Sequence, residues 1–451
     1  MTVPELYKIF LEHPTITIDS RNCPPESIFF ALRGSKSDGN AYASSALSAG
    51  SSFAVIDDAS YLTDPRMLLV NNVLEALQSL AQLHRQTLKT PVLAITGTNG
   101  KTTTKELIAA VLSRKFNVLY TQGNLNNHIG VPLTLLRLTP AHEIAVIEMG
   151  ANHPGEIRTL AEITQPDYGL ITNVGCAHLE GFGSLEGVIK TKCELLDYLI
   201  DTGGTFFMNT TLESDITASR HCDPSVFRHC EGEARSNPPK IIRYSETNKK
   251  QETPTLITGE VTARHPFLAF KWQQSAGVEK AVQTHLVGDY NLLNALAAIT
   301  VGVYFGVKPD KINSAIAEYQ PSNNRSQLVK TADNELIIDA YNANPSSMRA
   351  ALANFAASES SPKAVILGDM LELGDQSLHL HKEITELITA SRFDKVLLCG
   401  ADFTAVAGST YPCFISVEQL INYLKINPLK GYTILLKASH SININQAADF
   451  L

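Results

Sequence analysis

One short stretch of this chain has the residue types and spacing to hold a phosphate chain. An apolar run from Pro91 to Thr96 meets the turn Gly97-Thr98-Asn99-Gly100. Lys101-Thr102-Thr103-Thr104 and a helix-like run from Lys105 to Ser113 follow. Strand, turn and helix in that order make an anion cradle: glycines admit backbone N–H groups close to the oxygens, and the helix start adds a partial positive charge. Lys101 can bridge the terminal phosphates, and the Thr102 hydroxyl can hold Mg²⁺. Ile95 stands where the general pattern places its first glycine, so the motif is the shortened form Gly97-x-x-Gly100-Lys101-Thr102. Alone, such a run can be a chance turn. The strand before it and the helix after it make nucleotide binding the expectation.

The elements that would position this loop are legible as alternating patterns. At 451 residues the chain is long enough for three domains of about 150 residues each. The first section, residues 1–88, carries short apolar runs at Ser27–Leu32 and Phe53–Ile56, and closes with a helical pattern from Val73 to Gln86. The second, residues 89–317, opens with the phosphate loop and repeats strand candidates at Ile144–Ile147, Tyr168–Thr172 and Thr205–Met208. Strands alternating with helices predict a mostly parallel sheet covered on both faces, with ligands at the carboxyl ends of its strands. Glu148 and the run Asn173–His178 fall at such ends. The third section, residues 318–451, repeats the theme at Leu336–Asp339, Ala364–Gly368, Val396–Cys399 and Thr433–Leu436.

Composition narrows the class. A hydrophobic fraction of 44% and a charged fraction of 18% are those of a soluble globular protein. Nothing approaches the roughly 18 uninterrupted apolar residues of a membrane span, and the N-terminus lacks a secretory pattern, so a cytoplasmic protein is expected. The net charge of −8, without a basic run, argues against a nucleic-acid partner. Seven scattered cysteines are expected to be reduced thiols. A polar stretch at about 214–240 contains the near-repeat Arg220-His221-Cys222-Asp223 and Arg228-His229-Cys230-Glu231. Adjacent His-Cys pairs lack the usual spacing of structural zinc ligands, so a solvated insertion is expected.

The loop Thr96–Thr103 with Lys105-Glu106 resembles the signature of the Mur ligases and folylpolyglutamate synthases, ATP-dependent amide-bond ligases. The likeness extends through Asp19–Arg21, Gly123–Pro132, Ile147–His153, Gly288–Ala295, Asp339–Pro345 and Leu367–Gly374, which span all three sections. It implies an α/β protein of three domains: a small substrate-nucleotide domain, a central P-loop parallel-sheet ATPase domain and a C-terminal Rossmann-like domain. It implies ATP and Mg²⁺ as cofactors and an acyl-phosphate route to the amide. The partners implied are UDP-N-acetylmuramoyl-tripeptide and D-alanyl-D-alanine, and a monomer is expected.

The resemblance also assigns residues. Gly97, Thr98, Asn99, Gly100, Lys101, Thr102 and Thr103 would bind the phosphates. Thr102, Glu148 and His178 would lie at the metal. Lys192 matches a lysine that relatives carry as a carbamate, Asn291 and Asn294 match asparagines that read adenine, and Arg325 and Asp339 match positions that reach the γ-phosphate and the ribose. Ser20 and Arg21 would meet the uridine diphosphate; Tyr341, Asn342 and Asn344 are candidates for the incoming dipeptide. Each has a plainer alternative: Glu148 as a helix cap, His178 satisfying loop carbonyls, Lys192 as an exposed helix lysine, Asn291 and Asn294 as packing amides, Arg325 and Arg21 as surface arginines. Ile338 and His440 depart from the family pattern, which often has aspartate and arginine there. Rival readings are another ligase of the superfamily, or a P-loop nucleotide-binding module without ligase chemistry.

Overall fold

The computed structural model describes residues 1–34, 37–218, 240–247, 255–275, 277–321, 325–359 and 362–451. The paired His-Cys run at 220–231 lies outside the described residues. Among those described, three sheets form, in chain order.

The first sheet is parallel, in the order β1-β2-β3-β4: Ile16–Thr17, Ile28–Phe30, Phe53–Ile56 and Met67–Leu69. The second contains β5 Val92–Thr96, β6 Val118–Tyr120, β7 Ile144–Glu148, β8 Tyr168–Ile171, β9 Thr205–Asn209, β10 Lys240–Glu246, β11 Ile257–Ala263, β12 Ala269–Gln274 and β13 Lys280–Gln283. Its order is β13-β12-β11-β10-β9-β8-β5-β7-β6, parallel from β6 to β11 and antiparallel beyond. The parallel part agrees with the alternation in the sequence. The arm β10–β13 does not announce itself, because its strands are only part-buried and mix charged with apolar residues. The third sheet has the order β14-β15-β19-β16-β17-β18, and only β14 is antiparallel to its neighbour. Its strands are Gln327–Lys330, Glu335–Asp339, Lys363–Gly368, Lys395–Cys399, Cys413–Phe414 and Thr433–Lys437.

The central strands are buried on both faces and read as unbroken apolar runs, as parallel strands under helices must. One face of the second sheet packs on the helices Lys101–Leu112 and Asn291–Tyr304, the latter apolar nearly all round and therefore enclosed. The other face has an unexpected neighbour. Its core, with Ile147, Leu160 and Leu195, continues through Leu77, Leu80 and Ala81 of helix Val73–Leu88 into Phe10, Ile28 and Val55 of the first sheet's unit. The first two units thus share one apolar core. The third has its own, on the two faces of its sheet.

Arg85 ties this shared helix to the second sheet. Its side chain is buried, and Nη2 donates to Asp167 Oδ2 at 2.8 Å and to the Gln165 carbonyl at 3.2 Å. Asp167 also accepts from the Val92 N–H, at the start of β5, at 2.8 Å. The aspartate is half exposed, which weakens the ion pair, yet the guanidinium still holds two acceptors. Replacing Arg85 by Ala should therefore cost about 2 kcal/mol. Urea unfolding should show a lower midpoint with an unchanged slope, and an unmoved midpoint would remove Arg85 from the account of this seam.

Candidate active site

In the second sheet β5 lies between β7 and β8, so the loops leaving their carboxyl ends meet. The loop after β5 is shaped by two glycines. Gly97 has φ +141°, and a Cβ there would lie 2.0 Å from Thr172 Oγ1. Gly100 has φ +76° at the start of helix Lys101–Leu112, and a Cβ would lie 2.7 Å from Asn294 Oδ1. Neither position tolerates a side chain. The loop after β8 fastens the turn: Thr98 N–H donates to the Asn173 carbonyl and Asn99 N–H to Asn173 Oδ1, each at 2.9 Å, and Thr172 Oγ1 donates to the Asn99 carbonyl at 2.6 Å. Lys101 folds back over the turn, its Nζ donating to the carbonyls of Gly97 and Thr98 at 2.7 and 3.0 Å. Burial pushes its pKa down to about 8, against the pull of Glu148.

Glu148 ends β7 and is 1% exposed. It caps no helix. Thr102 Oγ1 donates to both carboxylate oxygens, at 3.1 and 2.9 Å, and Asn126 Nδ2 donates to Oε1 at 2.8 Å. A hydroxyl and a carboxylate side by side are hard oxygen donors of the kind Mg²⁺ takes. Among the described residues no group of three or more His, Cys, Asp or Glu gathers, so a cation here would draw further oxygens from phosphate and water. His178 stands on the same cavity in a left-handed conformation, φ +52°, and pairs through Nδ1 with Glu372 of the third unit. That pair, before burial opposes it, holds the Glu372 carboxyl below its usual pKa.

The third unit supplies the opposite wall of a cavity of about 880 Å³, which Arg325, Asp339, Tyr341 and Asn342 line with the loop residues 98–103. The Arg325 guanidinium lies 3.6 Å from the centre of the Tyr341 ring, a stacked cation rather than a free surface arginine. Asp339 accepts from the buried Lys437 Nζ at 2.6 Å. Asn344 does not line the cavity: it caps helix Pro345–Ala357, accepting from Ser347 N–H at 2.9 Å. Its Nδ2 donates to Asn99 Oδ1 at 2.8 Å, while Asn99 Nδ2 donates to Ser346 Oγ at 3.0 Å. The phosphate loop and the third unit are thus hydrogen-bonded directly.

Asn291 and Asn294 line the cavity but are also links in a buried chain. Thr104 Oγ1 donates to Asn294 Oδ1, Asn294 Nδ2 to Asn291 Oδ1, and Asn291 Nδ2 to the Val287 carbonyl, at 3.0, 2.9 and 2.8 Å. Lys192 is buried, whereas Lys190, two residues earlier, is exposed. Its pKa is pushed down to about 7, first by burial and then by the charge of Lys101. The plain reading of Lys192 as a solvated helix lysine is excluded. Ser20 and Arg21 stay apart from the rest: they lie in the turn after β1, outside the cavity, with Arg21 held by both carboxylate oxygens of Asp19 at 2.9 Å. Sequence reasoning missed Lys105, Asn126, Glu372 and Lys437. Of these, Lys105 had a usable signal, its position three residues after Thr102 on one helix face.

Models of the Mur ligase family match the chain in succession: the catalytic domain at 14–93, the middle domain at 95–302 and the glutamate ligase domain at 324–440. A UDP-N-acetylmuramoyl-tripeptide–D-alanyl-D-alanine ligase of Bacillus subtilis is 33% identical, over 96% of this chain and 91% of its own. The protein of that name from Escherichia coli is 35% identical over 97% and 93%. In structure, MurF from Acinetobacter baumannii superposes with a TM-score of 0.82 at 27% identity, covering 97% of this chain and 93% of its own. MurF ligase from Thermotoga maritima, solved with ADP, has the same fold, with a TM-score of 0.81 at 23% identity over 98% and 97%. The three models follow one another along most of the chain, both relatives are covered nearly end to end, and the chain belongs to the Mur ligase family.

Proposed function

We propose that this protein is an ATP-dependent ligase that joins D-alanyl-D-alanine to UDP-N-acetylmuramoyl-tripeptide, a cytoplasmic step in the synthesis of peptidoglycan precursors, acting as a monomer. Residues 1–88 hold the uridine diphosphate, with Ser20 and Arg21 at its phosphates, residues 89–317 hold ATP, and residues 318–451 close over it. The observation that carries the reading is the single cavity in which Lys101, Thr102 and Glu148 face Arg325 and Tyr341. A bare nucleotide switch has no need of a second unit bearing a cation over the phosphates. Near full-length likeness to the Bacillus subtilis and Escherichia coli ligases supports this acceptor over folate.

Joining a carboxylate to an amine in water is uphill, so the acid is first activated. An oxygen of the acceptor's terminal carboxylate attacks the γ-phosphorus of ATP, and ADP leaves. The dipeptide amine then attacks the acyl carbon, phosphate departs with the bonding pair, and the amine proton is lost to solvent. Two anions must approach in the first step, so catalysis is mainly positioning and charge neutralisation. Lys101 exchanges its two loop carbonyls for β- and γ-phosphate oxygens, beside the N–H groups of residues 98–103. Thr102, Glu148 and His178 would hold Mg²⁺, which would supply positive charge to offset that of the phosphate oxygens and the acceptor carboxylate. Glu372 engages Nδ1 of His178 and so holds the ring at the cavity wall. Arg325 adds its charge at the γ-phosphate once the third unit has closed. Asn291 and Asn294 contact adenine, Asp339 the ribose, and Tyr341 and Asn342 border the dipeptide, while Asn344 holds the loop that carries them.

Phosphate release from ATP tests the whole reading. It should require magnesium, UDP-N-acetylmuramoyl-tripeptide and D-alanyl-D-alanine together, with the lengthened muropeptide formed in equal amount. Release that ignores both partners would mean a nucleotide-binding module, and release stimulated only by folate and glutamate would mean the folate enzyme.

Changing Arg325 to Ala should lower kcat on the order of a hundredfold, with little change in unfolding midpoint. Unaltered turnover would take it out of the reaction.

Lys192 is proposed to work as a carbamate. Only the neutral amine takes up carbon dioxide, and since burial holds the pKa at about 7, that form prevails above neutrality. The part of the activity that depends on carbon dioxide should therefore grow from about pH 6 to about pH 8. Lys192→Ala should lose most activity and regain some with acetate or formate. Near-normal turnover of that variant, indifferent to added carboxylate, would refute the carbamate.

A further inference from the structure

The most deeply buried charge beside the site takes no part in the chemistry above. Lys105 follows Thr102 by three residues on helix Lys101–Leu112, so the two side chains share a face. Its side chain is 0% exposed, and Nζ has no hydrogen-bond partner among the described residues. Two carboxylates flank it instead: Glu148 Oε2 and Glu106 Oε1, each 3.7 Å away. The Tyr120 ring centre lies 5.9 Å off.

Glu106 has a separate partner, because the Tyr319 hydroxyl donates to it at 2.6 Å. Glu148 is aimed by Thr102 and Asn126, through direct hydrogen bonds shorter than the contact with Lys105. Lys105 therefore contributes charge to Glu148 rather than direction. A leucine or methionine would fill the same space without the desolvation of an ammonium. What an apolar residue cannot do is balance a carboxylate that is itself 1% exposed. Once Thr102 and Glu148 hold a divalent ion, that balance comes from the ion, and an ammonium 3.7 Å from the same carboxylate repels it.

We propose that Lys105 is a positioning residue that holds the place of the cation: its ammonium balances Glu148 while no metal is bound, keeping the carboxylate seated beside Thr102 for the incoming ion. The inference rests on the magnesium-dependent reading above for the identity of that ion, but its test does not depend on turnover.

The test is thermal unfolding of the full chain as wild type, Lys105→Met, Glu148→Gln and the double variant, each with and without Mg²⁺ and ADP. Without ligand, Lys105→Met should melt about 5 °C or more below wild type. The stabilisation it gains from Mg²⁺ and ADP should exceed that of wild type, and the magnesium needed for half-maximal ADP binding should fall by roughly tenfold. The double variant, with both charges gone, should recover most of the lost melting temperature. An equal loss with and without Mg²⁺ and ADP would overturn the proposal, as would a double variant whose loss is the sum of the single ones. Should Lys105→Met not fold, the double variant decides: folding supports the charge pair, and failure overturns it. Failure of the ligase reading would appear separately, as absent muropeptide-dependent phosphate release, with this cycle intact.

Discussion

A carboxylate withdrawn from water at the end of a central strand persists only if its charge is met, and Glu148 is the group around which this molecule is arranged. Strand β7 delivers it, the helix after β5 brings Thr102 and Lys105 to it, and the loop after β6 brings Asn126. Each comes from a different segment, so the carboxylate is held only when the second sheet is in register. Ile95 and Glu148 are paired neighbours in β5 and β7, and a slip of one residue would turn the carboxylate to the other face. The cradle for phosphate and the anchor for a cation are consequently one construction.

How much of this could be read from residues alone depended on whether the signal was local. The loop Gly97–Thr103 was legible because strand, turn and helix are contiguous and each has its own pattern. Glu148 was legible as a charge closing an apolar run. The arm β10–β13 was not: strands such as Lys240–Glu246 are only partly buried, and residues such as Lys271 form surface pairs with Glu260 and Glu279 that leave no apolar period. Lys105 shows the limit most clearly. Helical spacing places it beside Thr102, but a lysine near a helix start ordinarily faces water, and the strand lying across it is 43 residues further on. The same holds for Lys190 and Lys192, two residues apart, one in water and one sealed.

The family resemblance supplied what patterning lacked, and the structure gives it physical content. Asn344, in the segment Asp339–Pro345, caps the helix that follows and grips Asn99 of the phosphate loop. Glu372, in Leu367–Gly374, meets His178. Both segments, which composition alone would call loops, thus work at the seam between the second and third units. Asn291 and Asn294 illustrate a different point. They face the cavity and also complete a chain of buried amides, so the plain alternative of packing amides describes part of what they do.

The two seams between units differ in kind. The first two units are welded by oil: Leu77, Leu80 and Ala81 sit in a core common to both. The third meets the second largely through polar pairs such as Asn99 with Asn344 and Tyr290 with Ser326, at 2.8 and 2.9 Å, whose loss water can make good. Prising the first joint would expose hydrocarbon, whereas the second can part and re-form at small expense. Of the two joints, the apolar one is thus the stiffer, and the polar one, beside the phosphate loop, is the one that costs less to open.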